Sequence, residues 1–211
     1  MKITIDSWYE NNLLTNYDKY ISKSTIYCND RSISKGTYNL GSDPFYYGAY
    51  TRLIENKTPS YKCGANTSNG LFENTQAIAD KFSASTDGGG NGKLTYPIAL
   101  MTADEVSFAG GVYGEKLTTP FAWYYTNSVG SSVTDSDYFW WLLTPCNWKY
   151  VNVSNFYVSS SSSLYSASIA KNTVGSQPVA RPVISISKCA KVKSGIGTPD
   201  SPYEIAESSC N

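Results

Sequence analysis

The stretch from Trp140 to Pro182, WWLLTPCNWKYVNVSNFYVSSSSSLYSASIAKNTVGSQPVARP, decides how the rest of the chain is read. Its ends have the composition of buried framework. Trp140, Trp141, Leu142 and Leu143 form an apolar run closed by Thr144-Pro145, and Arg181-Pro182 opens a second apolar strand, Val183 to Ile186. Between them Tyr150, Tyr157 and Tyr165 are scattered among Asn147, Asn152, Asn155 and the serine run Ser159 to Ser163. Tyr offers large contact area at small entropic cost, and Ser and Asn offer adaptable hydrogen bonding. Fixed apolar ends around such a middle predict a scaffold that displays a recognition surface. The plainer alternative is a polar, solvent-facing sheet or long loop with no ligand. Val151 and Val153 alternate with polar residues, as do Phe156 and Val158, which predicts strands with one face inward. That pattern puts Tyr150, Asn152 and Ser154 on one face of the first segment, and Asn155, Tyr157 and Ser159 on one face of the next.

Upstream, Ser7-Trp8-Tyr9-Glu10 fits a capping box, with Tyr9, Leu13, Tyr17 and Ile21 repeating on one face of a following helix. Residues 28 to 63 read as irregular, punctuated by Gly36, Gly41, Asp43-Pro44 and Gly48. Asp30 and Arg31 are expected to pair with each other or cap a turn, and Tyr46, Tyr47, Tyr50 and Arg52 to form a patch under the loop. Leu71 to Phe82 reads as a short helix, followed by a plain glycine loop from Asp87 to Gly92 without the flanking elements or the Lys and hydroxyl pattern of a phosphate cradle. Leu94 to Met101 predicts a buried strand whose Pro97 marks an edge or bulge. Thr102-Ala103-Asp104-Glu105 is a second capping box, opening a helix through Val106, Phe108 and Ala109 that ends at Gly110-Gly111. Carboxylates in a first helical turn complement the dipole, so Asp104 and Glu105 are read as structural rather than as an acid/base pair. Residues 112 to 139 read as loop-rich around Phe121 to Tyr125. Ile184 to Ile186, then Gly195 to Pro202, then Tyr203 to Ile205 read as the strands and turn of a terminal β-hairpin.

The totals narrow the function. The 211 residues carry 17 basic and 17 acidic side chains, a net charge of zero that offers no field for nucleic acid. There is no histidine, which removes the commonest general base and a frequent metal ligand. No catalytic set, cofactor motif or metal site is expected. No run reaches the roughly 18 apolar residues of a membrane span. Met1 to Asp6 has no apolar signal core, so any export or anchoring segment is expected to lie outside this sequence.

Five cysteines, none in a C-x-x-C pair, argue against zinc and for disulfides in an exported protein. The preferred pairs are Cys28 with Cys63 and Cys189 with Cys210. Connectivity stays open at this level, because Cys146 is left over either as a thiol in the binding surface or as a partner displacing one of those pairs.

Trp140-Trp141-Leu142-Leu143-Thr144-Pro145 and Ala180-Arg181-Pro182-Val183-Ile184 resemble a signature of bacterial and phage-associated surface domains with a C-type-lectin-like fold of the formylglycine-generating-enzyme type. Tyr96 to Val106 and the ending Gly197-Thr198 to Pro202-Tyr203 are similar to the same group. The resemblance covers most of residues 94 to 205, while Asp6 to Tyr9 and Cys28 to Arg31 look like a variant found in surface and pilin-like proteins. It implies an α+β fold: two short helices on small antiparallel sheets, loop-rich. The chain is then one domain, 1–211, with an N-terminal helix and loop part over 1–93 and a core over 94–211 that holds a variable region at about 140–182.

Some members of that group are the variable proteins of diversity-generating retroelements, whose randomised AAY codons yield Tyr, Ser, Asn, Phe, Ala or Cys. On that resemblance the diversified, ligand-binding set is Asn147, Tyr150, Asn152, Asn155, Tyr157, Ser159, Ser161, Ser163, Tyr165, Ser166 and Ser168, with Trp148 and Lys149 fixed. Gln177-Pro178-Val179 departs from the carboxylate/amide motif of calcium-dependent sugar sites, and Cys146 alone does not reproduce the reactive cysteines of the enzyme. The expected function is non-enzymatic binding of a protein or glycan on another cell or phage host, at the cell surface or outside the cell. The rivals are a fixed adhesin or pilin-like subunit and, third, a formylglycine-generating-type enzyme.

Overall fold

The computed structural model describes residues 2–37, 43–63, 79–85, 90, 92–115, 139–149, 152–159, 164–168, 178–198 and 200–210. In chain order these form helix α1 (Lys2–Asn12) and strands β1 (Tyr27–Asp30), β2 (Ile33–Lys35) and β3 (Phe45–Tyr47). A π-helical turn (Tyr50–Glu55) leads to β4 (Ala79–Ser83), β5 (Gly92–Lys93), β6 (Ala99–Leu100) and helix α2 (Ala103–Phe108). Then come β7 (Phe139–Lys149), β8 (Asn152–Ser159), β9 (Leu164–Ser168), β10 (Pro178–Val179), β11 (Pro182–Val183), β12 (Val192–Ser194) and β13 (Glu204–Ile205). The architecture is mixed α+β, mostly small antiparallel sheets with few helices. The chain divides into two compact units: Met1–Tyr27 with Phe82–Ala99 and Pro182–Asn211, and Cys28–Lys81 with Leu100–Arg181.

In the first unit, Ile5 and Tyr9 set the buried side of α1, four residues apart. The helix starts at Lys2, so Ser7 lies mid-helix and not at its N-cap. The upstream start is favoured by the Lys2–Asp6 ion pair at 2.6 Å, one turn apart, and by Lys2 Nζ donating to the Ile98 carbonyl at 3.1 Å. Tyr9 is buried, stacks on Tyr96 with ring centroids 5.1 Å apart, and donates its hydroxyl to Asp18 at 2.8 Å. Of the expected one-face repeat only Tyr9 lies on the helix; Leu13, Tyr17 and Ile21 follow its end, with Tyr17 exposed and Ile21 buried. The helix has ended by then, and Ile21 is held by a bridge to Ile186. Phe82 and Ser83 of β4 pair in parallel with β5, so the helix expected to run through residue 82 is a strand at its end; residues 71–78 lie outside the described residues. The strand expected over 94–101 shrinks to β6, with bends at 95–97 around Pro97. Val183 to Ile186 likewise gives only the short β11 plus the bridge at Ile186. At the C-terminal end β13 lies where the second hairpin strand is expected, but its antiparallel partner is β12 and not Ile184 to Ile186, and Cys189 is bonded to Cys210.

In the second unit the segment expected to be irregular contains β2, β3 and the π-helical turn, tied by the Cys28–Cys63 bond. Both disulfides join the pairs preferred from the sequence. Asp30 and Arg31 do not pair with each other. Arg31 takes Asp80, at 2.6 Å, while Asp30 is buried and takes Arg52 Nη1 at 2.7 Å. Arg52 also forks onto Asp104, its Nε and Nη2 donating to the two carboxylate oxygens at 3.1 and 2.9 Å. The amides of Ser32 and Ser60 donate to Asp30 and Asp104 at 3.0 and 2.8 Å. Burial alone would lower the Arg52 pKa, but the hydrogen bonds and charges of Asp104 and Asp30 outweigh it and raise it. Gly48 makes room for this cluster: a β-carbon there would lie 3.0 Å from Arg52 Nη1 and 3.2 Å from Asp30 Oδ2. Helix α2 carries the expected capping box, Thr102 and Glu105 bonding each other's backbone amides. Glu105 therefore caps and Asp104 anchors Arg52.

The six-stranded sheet of this unit runs β2-β3-β7-β8-β9, with β10 also paired to β7. Its core gathers Ala49, Leu53, Ala103, Val106, Trp140, Leu142, Cys146, Phe156 and Val158. Thr144-Pro145 does not close the run that begins at Trp140. Strand β7 continues to Lys149, and the register against β8 shifts on both sides of Pro145. Bulges accommodate a residue that lacks an N–H, so the proline bends the strand instead of ending it.

Candidate binding surface

The polar middle of the decisive stretch is organised by β7. Strand β8 returns antiparallel along it, with Trp140 opposite Val158 and Trp141 opposite Tyr157, and beyond the bulges Asn147 opposite Ser154, Trp148 opposite Val153 and Lys149 opposite Asn152. Strand β9 continues the meander in unbroken register, with Val158 opposite Leu164, Tyr157 opposite Tyr165, Phe156 opposite Ser166, Asn155 opposite Ala167 and Ser154 opposite Ser168. Side chains directly opposite each other share a face, and successive residues alternate between faces.

One face is therefore the core face. It carries Trp140, Phe156 and Val158, all buried, and places Asn152 and Ser154 in the same alternation. The other carries Asn155 and Tyr157. Because β8 is one uninterrupted strand, Asn152 and Asn155 fall on opposite faces. Of the eleven expected site residues, Asn147, Asn152, Asn155, Tyr157, Ser159, Tyr165, Ser166 and Ser168 lie on three adjacent strands. Tyr150, Ser161 and Ser163 lie outside the described residues.

Trp141 belongs to this surface although its composition reads as framework. It is half-buried and meets Tyr157 edge to face, ring centroids 6.0 Å apart at 74°. The pair Trp141 and Tyr157 thus spans two neighbouring strands. A signal for it existed: neighbouring residues of a strand point to opposite faces, so of Trp140 and Trp141 only one can enter the core.

The surface is fixed from below and from both ends. Val179 of β10 pairs in parallel with Trp140, and the Arg181 guanidinium lies 4.1 Å from the centroid of the Trp140 ring. This contact joins the two apolar ends of the stretch. At the other end Trp148 stacks parallel to the buried Phe45, centroids 6.1 Å apart. Asn147 sits opposite Tyr46 of β3, and its amide donates to Cys146 Sγ at 3.7 Å. Cys146 is a thiol buried in the core, not in the surface. Nearby, burial chiefly, with the charges of Tyr46, Glu55 and Cys146, raises the pKa of Tyr50, which stays a neutral phenol and packs on Tyr46 at 4.4 Å. Among the described residues no three His, Cys, Asp or Glu side chains are grouped to hold a metal ion, and no helix is long and apolar enough to cross a membrane. No family model, no curated protein and no solved structure matches the chain.

Proposed function

We propose that this chain is a non-enzymatic ligand-binding domain of a C-type-lectin-like, formylglycine-generating-enzyme-like fold, displayed outside the cell, and that it is the variable protein of a diversity-generating retroelement. The observation that carries the reading is the division of the Trp140–Pro182 stretch into a locked base and an aromatic and amide surface. Trp140, Phe156 and Val158 fill the core while Trp141, Asn155 and Tyr157 occupy the opposite face of the same strands. Replacement of residues on that face leaves the packed layer untouched, so the partner can change without the fold. Rigid aromatic side chains flanked by amides and hydroxyls suit a protein or glycan partner on another cell or phage host. Two disulfides support an oxidising, extracellular location. The burial of Cys146 supports binding over cysteine chemistry, which needs an accessible thiolate.

The test is the DNA around the gene. The expected finding is a near-repeat of the codons for residues 140 to 182, differing mainly at adenines, beside a reverse-transcriptase gene. Identical codons across isolates, with no such repeat, would replace this reading with a fixed adhesin or pilin-like subunit.

A further inference from the structure

Three Asn-x-Ser/Thr triplets occur in the chain: Asn56-Lys57-Thr58, Asn66-Thr67-Ser68 and Asn152-Val153-Ser154. In an exported protein such a triplet is the acceptor pattern for a glycan on the asparagine amide, provided that the asparagine stands in an accessible surface loop. The fold separates the three. Asn152 is half-buried in β8 opposite Lys149, its backbone part of the sheet. Asn66 lies outside the described residues. Asn56 follows directly on the π-helical turn, in a run from Glu55 to Thr58 that is exposed at every residue.

The backbone under Asn56 is pinned. Its N–H donates to the Thr51 carbonyl at 3.0 Å, closing the π-helical turn, and the Thr58 N–H donates to the Arg52 carbonyl at 2.8 Å. Between them Lys57 takes a left-handed φ of 54° and turns the chain. The turn brings the Thr58 hydroxyl back to donate to the Asn56 carbonyl at 3.0 Å. The Lys57 side chain is carried away to the Tyr113 carbonyl, 2.8 Å from its Nζ. Asparagine and hydroxyl of the triplet therefore sit together while the middle side chain is held elsewhere. Among the described residues nothing hydrogen-bonds the Asn56 side-chain amide. The same segment runs on to the Cys28–Cys63 bond, and a disulfide of this kind belongs to an oxidising compartment.

We infer that Asn56 carries an N-linked glycan. Its Nδ2 attacks the anomeric carbon of a lipid-linked glycosyl diphosphate, held by a transferase of the export membrane. The new C–N bond replaces the C–O bond to the diphosphate, which leaves with its lipid and the bonding electron pair, and one amide proton passes to a base of the transferase. The core loses nothing, because Leu53 and Ile54 face it from the preceding turn. The inference needs export, which the disulfides support, and not the binding role proposed above.

Mass spectrometry of the chain recovered from the cells that produce it tests the inference. The peptide holding Asn56 is expected to carry sugar mass. A glycan–asparagine amidase acting in heavy-oxygen water should remove that mass and convert Asn56 to an isotope-marked aspartate. Asn56→Gln and Thr58→Ala should each abolish the modification, and Thr58→Ser should keep it, because the transferase reads the hydroxyl two residues on. An unmodified Asn56 in the wild-type chain overturns the inference, whether or not Asn66 or Asn152 carries sugar. Retention of the glycan on Asn56 in Thr58→Ala overturns it as well. A glycan at Asn56 in a chain whose gene has no template repeat would leave this site standing and remove only the binding role.

Discussion

The guanidinium of Arg181 lies over the indole of Trp140, 4.1 Å from the ring centroid, and fastens the end of the Trp140–Pro182 stretch to its beginning. Trp140 is buried and Arg181 half-buried. A partly desolvated cation–π contact of this kind contributes about 1 kcal/mol. Arg181→Ala should lower the unfolding free energy measured in urea by that amount, and Arg181→Lys should recover part of it, since Lys keeps the charge and loses the planar stack. Equal losses in both variants would assign the effect to the guanidinium's shape and not to its charge.

The cluster of Asp30, Arg52 and Asp104 is buried and fully interlocked. Removing its cation leaves two carboxylates without their partner. Arg52→Ala should cost about 3–5 kcal/mol in denaturant unfolding, the usual penalty for breaking a buried pair. Asp104→Asn should cost less, because its amide oxygen still accepts one of Arg52's hydrogen bonds. A loss below 1 kcal/mol for Arg52→Ala, on the order of an exposed pair, would show that water reaches the cluster.

Tyr9 is held as a neutral phenol, chiefly by burial and then by its hydrogen bond to Asp18, which together raise its pKa well above the ordinary value. The folded state therefore binds the proton more tightly than the unfolded state. The stability this gives is complete below the unfolded tyrosine pKa, about 10, and is lost as pH rises past it towards the folded value. The melting temperature of the wild type should fall above that pH, and Tyr9→Phe should flatten the fall. An identical slope in both proteins would place the alkaline sensitivity elsewhere.

The two disulfides span 35 and 21 residues. Loop-closure entropy assigns each about 3–4 kcal/mol, with the longer loop worth roughly 0.5 kcal/mol more. Paired replacements, Cys28→Ala with Cys63→Ala and Cys189→Ala with Cys210→Ala, should both lower the unfolding free energy, the first slightly more. A markedly larger loss at the shorter loop would mean that packing around Cys189 and Cys210 outweighs chain entropy.

Gly195 and Gly114 separate two costs of replacing a glycine. Both have positive φ, 90° and 81°. A β-carbon at Gly195 would lie 1.9 Å from the Pro202 carbonyl oxygen, whereas one at Gly114 would meet nothing within 4 Å. Gly114→Ala should cost about 1 kcal/mol from backbone strain alone. Gly195→Ala should cost more and raise hydrogen exchange across β12 and β13, because the hairpin must open to admit the methyl group.

What the sequence by itself determined was local. The capping box at Thr102 and Glu105 and the inward alternation of Phe156 and Val158 could be read from short spacings and residue types, whereas the disulfide pairs were preferred but left open until the fold joined them. The tertiary structure decided what depends on distant chain. Arg52 finds its carboxylates 22 and 52 residues away, so Asp30 beside Arg31 gave the wrong partner. The start of α1 depends on Lys2 reaching Ile98 and on Tyr9 meeting Tyr96, and a capping pattern at Ser7 lost to that packing. Pro145 bends β7 without ending it, because β8 supplies a bulged register that a single strand cannot announce. Trp141 joins Tyr157 on the candidate surface by the same cause: side-chain alternation is written in the strand, but which face meets the core is fixed only when the strands pair.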